Sequence, residues 1–279
     1  MAVVAAALAL GAWQLYKVVG PESGGQVLGA RVFPRTDDRS MPSVPEILSR
    51  FTAPVSRTDS KAVGVVVAEA AWYTFRVALA GFAAGVVVGV GLALVMCRSR
   101  WAERGLLPLV IVSQTIPLVA LAPLVVGWGG RARIGSWEWE PWMSVAAIAA
   151  YLAFFPVAIG ALRGLQSPPA HAVELLRSCA ASWWQTTRVL RLPASVPFLV
   201  PALRLGAAAA VVGAVVAEIS TGRRGGIGRL IIEYSRQATS DPAKVYVAIA
   251  GAAGLGLVVA LLVAGFGALL TRHRAPEVR

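Results

Sequence analysis

Two histidines (His171, His273) and two cysteines (Cys97, Cys179) are all that 279 residues offer to metal or thiol chemistry. Their separations match no Cys/His spacing of a metal site, so no metal is expected and both thiols read as small apolar side chains. The chain contains no G-x-x-x-x-G-K-[ST], H-E-x-x-H or G-x-S-x-G sequence. It therefore has no P-loop for ATP and no hydrolase apparatus, and neither a cofactor nor an enzymatic activity is expected. What remains is a handful of polar groups in apolar surroundings: Ser113, Gln114 and Thr115 inside one hydrophobic run, and Glu218 at the end of another. A carrier driven by a proton or sodium gradient usually needs ionisable groups at mid-depth in its membrane helices. None is plainly there, although ions held by backbone and hydroxyl oxygens escape that test.

The elements that must hold these residues are set by composition. Hydrophobic residues make up 57% of the chain and charged residues 14%, against about 25% charged in ordinary soluble domains; mean hydropathy is +0.68. A soluble protein has too little interior for that much apolar side chain, so the surplus must face lipid. The net charge of +12 is spread through loops with no polybasic run or face, which argues against nucleic acid. Residues 2–19, 77–97 (reaching back to about Trp72), 105–130, 141–162, 196–217 and 245–271 predict six transmembrane helices in an all-α polytopic protein. The first requires Lys17 to snorkel outward, and the fifth requires Arg204 to lie at an interface or against protein. The first also lacks the basic n-region of a signal peptide, and reads as an uncleaved anchor.

Loops 98–104, 163–195 and the tail from Arg272 hold 10 Lys/Arg and 3 acids; loops 17–69, 128–140 and 218–244 hold 14 and 11. The first set is shorter and denser in positive charge, so it is expected on the cytoplasmic side with both termini. Trp72, Trp128, Trp137, Trp139 and Trp142 then fall at the outer boundary as an aromatic belt. Gly81, Gly85 and Gly89 make a small-residue ladder for close helix packing. The outer segment 218–244 places Ile227, Leu230, Ile231 and Tyr234 on one helical stripe opposite Arg229, Glu233 and Arg236. It reads either as a helix lying in the interface, which composition favours, or as one leaning over a pore mouth.

The 163–195 segment carries helix punctuation. Pro168-Pro169 opens a helix that runs through His171 to Arg177, and Ser182-Trp183-Trp184-Gln185 reads as a capping box starting a second one that stops at Leu192-Pro193. Leu175, Leu176, Trp183 and Trp184 then form an apolar surface suited to docking a cytoplasmic partner. A loop folded back on its own helices is the equal alternative.

The same residues carry a resemblance. Glu174-Leu-Leu-Arg-Ser-Cys-Ala180, nine residues, then Leu190-Arg-Leu192-Pro193 resembles the E-A-A-x-x-x-G, nine residues, I-x-L-P loop of bacterial ABC-importer permeases. Glu174, Leu192 and Pro193 match in identity, while Leu175 and Leu176 replace two Ala, Leu190 an Ile, and Ala180 the Gly. Glycine gives a left-handed bend at little cost, so either the bend here is right-handed or Ala180 is strained. Thr74-Phe-Arg76-Val with Gly81-Phe82, Gln114-Thr115-Ile-Pro117 through Pro123, Phe154-Phe155-Pro156 with Gly164-Leu165, and Glu218 before Gly225-Gly226-Ile-Gly228 are similar to the sulfonate, taurine and nitrate branch. The resemblance covers residues 69–271, departing at Gly129-Gly130 and in the Trp/Glu-rich stretch 137–142.

What the resemblance implies is a type I importer permease of the inner membrane: an N-terminal helix and outer loop (1–68), a five-helix core (69–271) and a cytoplasmic tail (272–279). It further implies a homodimer or heterodimer, two copies of a separate ABC ATPase beneath it and an extracytoplasmic substrate-binding protein above. Glu174, Leu175, Leu176, Ala180, Ser182, Leu192 and Pro193 would couple to the ATPase. Gln114, Thr115, Pro117 and Glu218 would line the translocation path. Arg223 and Arg224 could attract anionic cargo or be solvated. A gradient-driven carrier and a membrane scaffold subunit are the competing classes; neither needs the 114–123 and 169–193 features together.

Overall fold

The computed structural model describes residues 2–27, 30–56, 59–131, 133–134, 137–222 and 225–271; Arg223, Arg224, His273 and the tail 272–279 lie outside them. The described chain is helical but for two small antiparallel hairpins, β1 (Gly25–Val27) with β2 (Ala30–Phe33), and β3 (Arg133–Ile134) with β4 (Trp137–Glu138). The helices are α1 (Ala2–Val19), α2 (Val44–Thr52), α3 (Val63–Arg98), α4 (Arg100–Ser113), α5 (Leu118–Gly129), α6 (Pro141–Gln166), α7 (Ala170–Ser178), α8 (Trp183–Thr186), α9 (Leu192–Thr221), α10 (Ile227–Arg236) and α11 (Pro242–Thr271).

Among the described residues four helical stretches are long and apolar enough to cross a bilayer: Val63–Arg98, Pro141–Gln166, Trp183–Thr221 and Pro242–Leu269; α1, expected as a sixth span, is not one of them. A fifth candidate is the pair α4 and α5, whose axes meet at 100°. The run 105–130, expected as one span, is thus broken. Its apolar composition hides the break, but Pro117 donates no hydrogen bond and biases Ile116 away from helix.

The chain divides into two compact units, with boundaries inside α3 and α11. One comprises residues 1–72 and 224–253. Here Val63, Val67, Ile227 and Val247 are buried. The apolar stripe of α10 turns inward: Ile227 and Tyr234 are buried, and Gly251 of α11 leaves room for Val67 and the Ile227 side chain. Leu230 and Ile231 of the same stripe are half-buried. Arg50 of α2 donates through Nε to Asp241 Oδ2 (2.8 Å), and the nearly buried Lys244 donates to the Val55 carbonyl (2.6 Å) beside the same carboxylate. Burial also holds the Tyr234 phenol above its ordinary range. Lys17 pairs with Asp38 (2.7 Å) and with the Thr36 carbonyl.

The other unit comprises residues 73–223 and 254–279. Its centre is α6, where Ile148, Ala149, Ala153, Val157, Ala158 and Leu165 are buried. The glycine ladder of α3 lies against it. A Cβ on Gly81 would stand 2.5 Å from the Ala146 carbonyl, on Gly85 2.9 Å from that of Ala150, and on Gly89 2.8 Å from that of Phe154. Contacts this short leave no space for any side chain, so the ladder fixes the α3–α6 approach. Along the outward faces Leu79, Val87, Val95, Leu109 and Val119 stay exposed, the surplus that lipid solvates. Arg204 of α9 is exposed, and its guanidinium lies over Gly267 of α11.

The tryptophans divide. Trp72 and Trp128 are exposed, and the Trp142 indole donates to Glu140 Oε2 (2.8 Å). Trp139 instead packs its indole on Gly129 and donates to Ser144 (2.8 Å). The Trp137 side chain is outside the described set.

Candidate functional site

Residues 167–194 build a compact hairpin. Pro169 is the N-cap of α7, and the helix ends at Cys179 with Ala180 at φ 55°. The Ala180 amide donates to the Arg177 carbonyl (2.9 Å) and the Ala181 amide to that of Leu176 (3.0 Å). This pair of bonds is the left-handed helix stop that glycine usually makes. Of the two geometries open to Ala180, the strained one is present, at a cost of about 1 kcal/mol.

Two residues on, the expected capping box is complete: the Gln185 amide donates to Ser182 Oγ (3.3 Å) and the Ser182 amide to Gln185 Oε1 (2.7 Å). The helix then does not stop at Leu192-Pro193 as expected. It continues through a five-residue π-helical turn, Thr187–Arg191, directly into α9. The wide turn, closed by the Leu192 amide on the Thr187 carbonyl, relieves the clash that a proline ring makes with an α-helical carbonyl four residues back. Pro193 is thus carried inside a 39-residue helical stretch, Trp183–Thr221.

The base of the hairpin is anchored by residues that sequence reasoning passed over. Arg191 Nη1 donates to the Leu165 carbonyl (2.9 Å) at the end of α6 and to Cys97 Sγ (3.2 Å) at the end of α3. Ser167 Oγ bonds the Gly164 carbonyl (2.8 Å) and, more weakly, that of Ala194 (3.4 Å). Arg98 lies over the Trp183 ring (5.7 Å), and Trp183 meets Trp184 edge to face (4.8 Å). The only sequence signal for Arg191 is its place between two apolar residues in the L-R-L-P run. On the projecting part, Glu174, Leu175, Ala180, Ser182 and Trp184 are exposed and Leu176 is half-buried. The apolar surface expected there exists.

The second group surrounds the break between α4 and α5. Gln114 is the C-cap of α4 and Pro117 the N-cap of α5. Thr115 Oγ1 bonds the Val112 carbonyl (2.8 Å), Gln114 Nε2 reaches Ser113 Oγ (3.4 Å), and the Tyr151 hydroxyl of α6 donates to the Ser113 carbonyl. Carbonyls at one helix end and amides at the next face a single turn, an irregular backbone tolerated in a membrane only where it lines protein or a watery path. Glu218 belongs to a different set. It is 1% exposed, and both its carboxylate oxygens lie on Thr74 Oγ1 of α3 (2.9 and 3.0 Å). The four residues grouped as a path therefore divide into a turn of α4–α5 and a buried α3–α9 tie.

The hairpin thus runs directly into the long apolar helix α9, and the bent apolar pair α4–α5 lies in the same unit. The family model described as "Binding-protein-dependent transport system inner membrane component" matches residues 85–274. The chain belongs to that family. Relatives include the riboflavin transport system permease protein RibX of Chloroflexus aurantiacus, 32% identical over 72% of this chain and 71% of its own. The formylaminopyrimidine transport permease protein ThiX of Halalkalibacterium halodurans is 34% identical over 52% and 54%. The taurine transport system permease protein TauC of Escherichia coli is 30% identical over 71% and 66%. The protein is an ABC importer permease, an all-helical inner-membrane component of a kind that is not itself an enzyme.

Proposed function

We propose that the permease forms the translocation path of an ATP-driven importer, and that the 169–193 hairpin is the handle by which a separate ATPase moves it. The observation that carries the reading is mechanical. The hairpin is stiffened at both turns, and its second limb is continuous with α9, so a push on α7 becomes a displacement of α9 without a loose joint. Glu174, Leu175 and Leu176 supply the contact, Ala180 and Ser182 hold the bend, and Leu192 and Pro193 pass the motion on. Gln114, Thr115 and Pro117 offer solute the polar backbone of the broken span. Glu218 holds α3 to α9 beside it. The path is completed by a second copy of the chain, an extracytoplasmic binding protein delivers the cargo, and α1 adds a sixth span with both termini in the cytoplasm.

The cargo is a small solute. The names of the relatives favour three classes, heteroaromatic vitamins and their precursors, small sulfonates, and nitrate-like anions; the ligand retained by the cognate binding protein decides among them.

The coupling role is tested by Glu174→Arg in the assembled transporter. The exposed site tolerates the change, so insertion and ATPase assembly persist, while uptake falls at least tenfold and ATP hydrolysis no longer responds to loaded binding protein. Uptake at the wild-type rate overturns the reading.

A further inference from the structure

A groove of about 480 Å³ runs along the end of α3. Gly91, Leu94 and Val95 form one half, and Arg98, Ser99, Trp183 and Trp184 the other. From Gly91 to Arg98 is about 10 Å along the helix axis, and Arg98 is the final residue of the first candidate span. The groove therefore straddles the boundary between hydrocarbon and headgroups, apolar on the membrane side and cationic at the rim. At the rim stands the exposed indole of Trp184, 66% accessible, the residue type that settles at that depth. Segment 98–104 carries Arg98, Arg100 and Arg104 against the single acid Glu103.

We propose that this groove binds one anionic glycerophospholipid, an acyl chain along Gly91–Val95 and the phosphodiester at Arg98. Charge complementarity selects the lipid: a net-anionic headgroup gains from Arg98 in the groove wall and from the positive excess of segment 98–104, a zwitterionic one gains little. The other occupants fit less well. A soluble ATPase approaching the rim cannot fill the apolar half, which lies within the span. A second copy would bring the same basic segment against this one. Because Trp183 sits on Arg98 and opens the limb that continues into α9, a phosphate held at Arg98 also steadies the hairpin's root. The inference rests on membrane-family membership and not on the coupling role, so it stands or falls separately from Glu174→Arg.

Native mass spectrometry of the purified permease, and of the permease assembled with its ATPase, tests it with phosphatidylglycerol and phosphatidylcholine of identical chains. Wild type should retain phosphatidylglycerol preferentially in both forms. Arg98→Gln should weaken phosphatidylglycerol about five- to tenfold and leave phosphatidylcholine unchanged. Gly91→Leu serves as the second variant. A Cβ at Gly91 meets no atom within 4 Å, so the larger side chain fills the groove without disturbing the fold and should abolish retention of both lipids. Equal retention of the two lipids by wild type, undiminished phosphatidylglycerol binding by Arg98→Gln, or displacement of the lipid when the ATPase assembles would each overturn the proposal.

Discussion

Ala180 holds a left-handed backbone with a side chain that disfavours it, at the one bend on which the hairpin's shape depends. Its methyl group carries the penalty, and its two flanking amide bonds keep the geometry regardless. Replacement by glycine removes the steric cost while adding some unfolded-state freedom. Ala180→Gly should therefore stabilise the permease by about 1 kcal/mol, raising its melting temperature by about 2 °C. Differential scanning fluorimetry in detergent would read this directly, and a lowered midpoint would contradict the strain assignment. The departure was visible in the sequence as an Ala where the family pattern has Gly, but its consequence was not, since the sequence alone left both a right-handed and a left-handed bend open. Arg191 shows the opposite limit: its side chain joins the ends of α3 and α6, residues 94 and 26 positions away, and no local pattern announces contacts of that range.

Helices declare themselves through apolar runs and caps, and here both were legible: the Gly81–Gly85–Gly89 face and the Ser182 box form as their spacing requires. What the pattern could not reveal is continuity. An uncharged run looks the same whether straight or bent, which is why the 100° break at 114–117 was hidden. A proline reads as a stop, although a π turn can absorb it. Two substitutions address these points. Gly85→Leu drives a side chain into the Ala150 and Phe154 backbone, and should abolish stable insertion, seen as loss of full-length protein from the membrane fraction. Pro193→Ala restores a backbone donor, letting the π turn close to an α turn. Removing one residue's worth of bulge rotates everything before it by about 100° relative to α9. Glu174 and Leu175 would then face away from their present direction. Basal ATP hydrolysis should persist while stimulation by loaded binding protein falls several-fold; unchanged stimulation would mean that hairpin and helix are not mechanically joined there.

At the scale of the whole molecule, composition was enough to demand a membrane, because the 57% apolar content has nowhere else to go, and the exposed faces of α3, α4 and α11 now show where it goes. Sidedness is a different matter, resting on the density of arginine in short loops, a statistical bias with no counterpart in side-chain geometry. The chain carries its own probe for it. Cys179 is exposed beside the hairpin bend, and Cys97 is half-buried against Arg191. In a Cys97→Ala background Cys179 is therefore the single thiol of the chain. A membrane-impermeant maleimide applied to intact cells should leave it unlabelled and modify it fully once the membrane is permeabilised. Assembly with the ATPase should slow that labelling by at least tenfold, because a motor gripping 169–193 covers the bend. Labelling in intact cells would put the basic loops outside and remove the handle from the reach of any cytoplasmic ATPase. Unslowed labelling in the assembled complex would leave the hairpin on the correct side but free of the motor, so the two halves of the coupling argument are separated by one reagent.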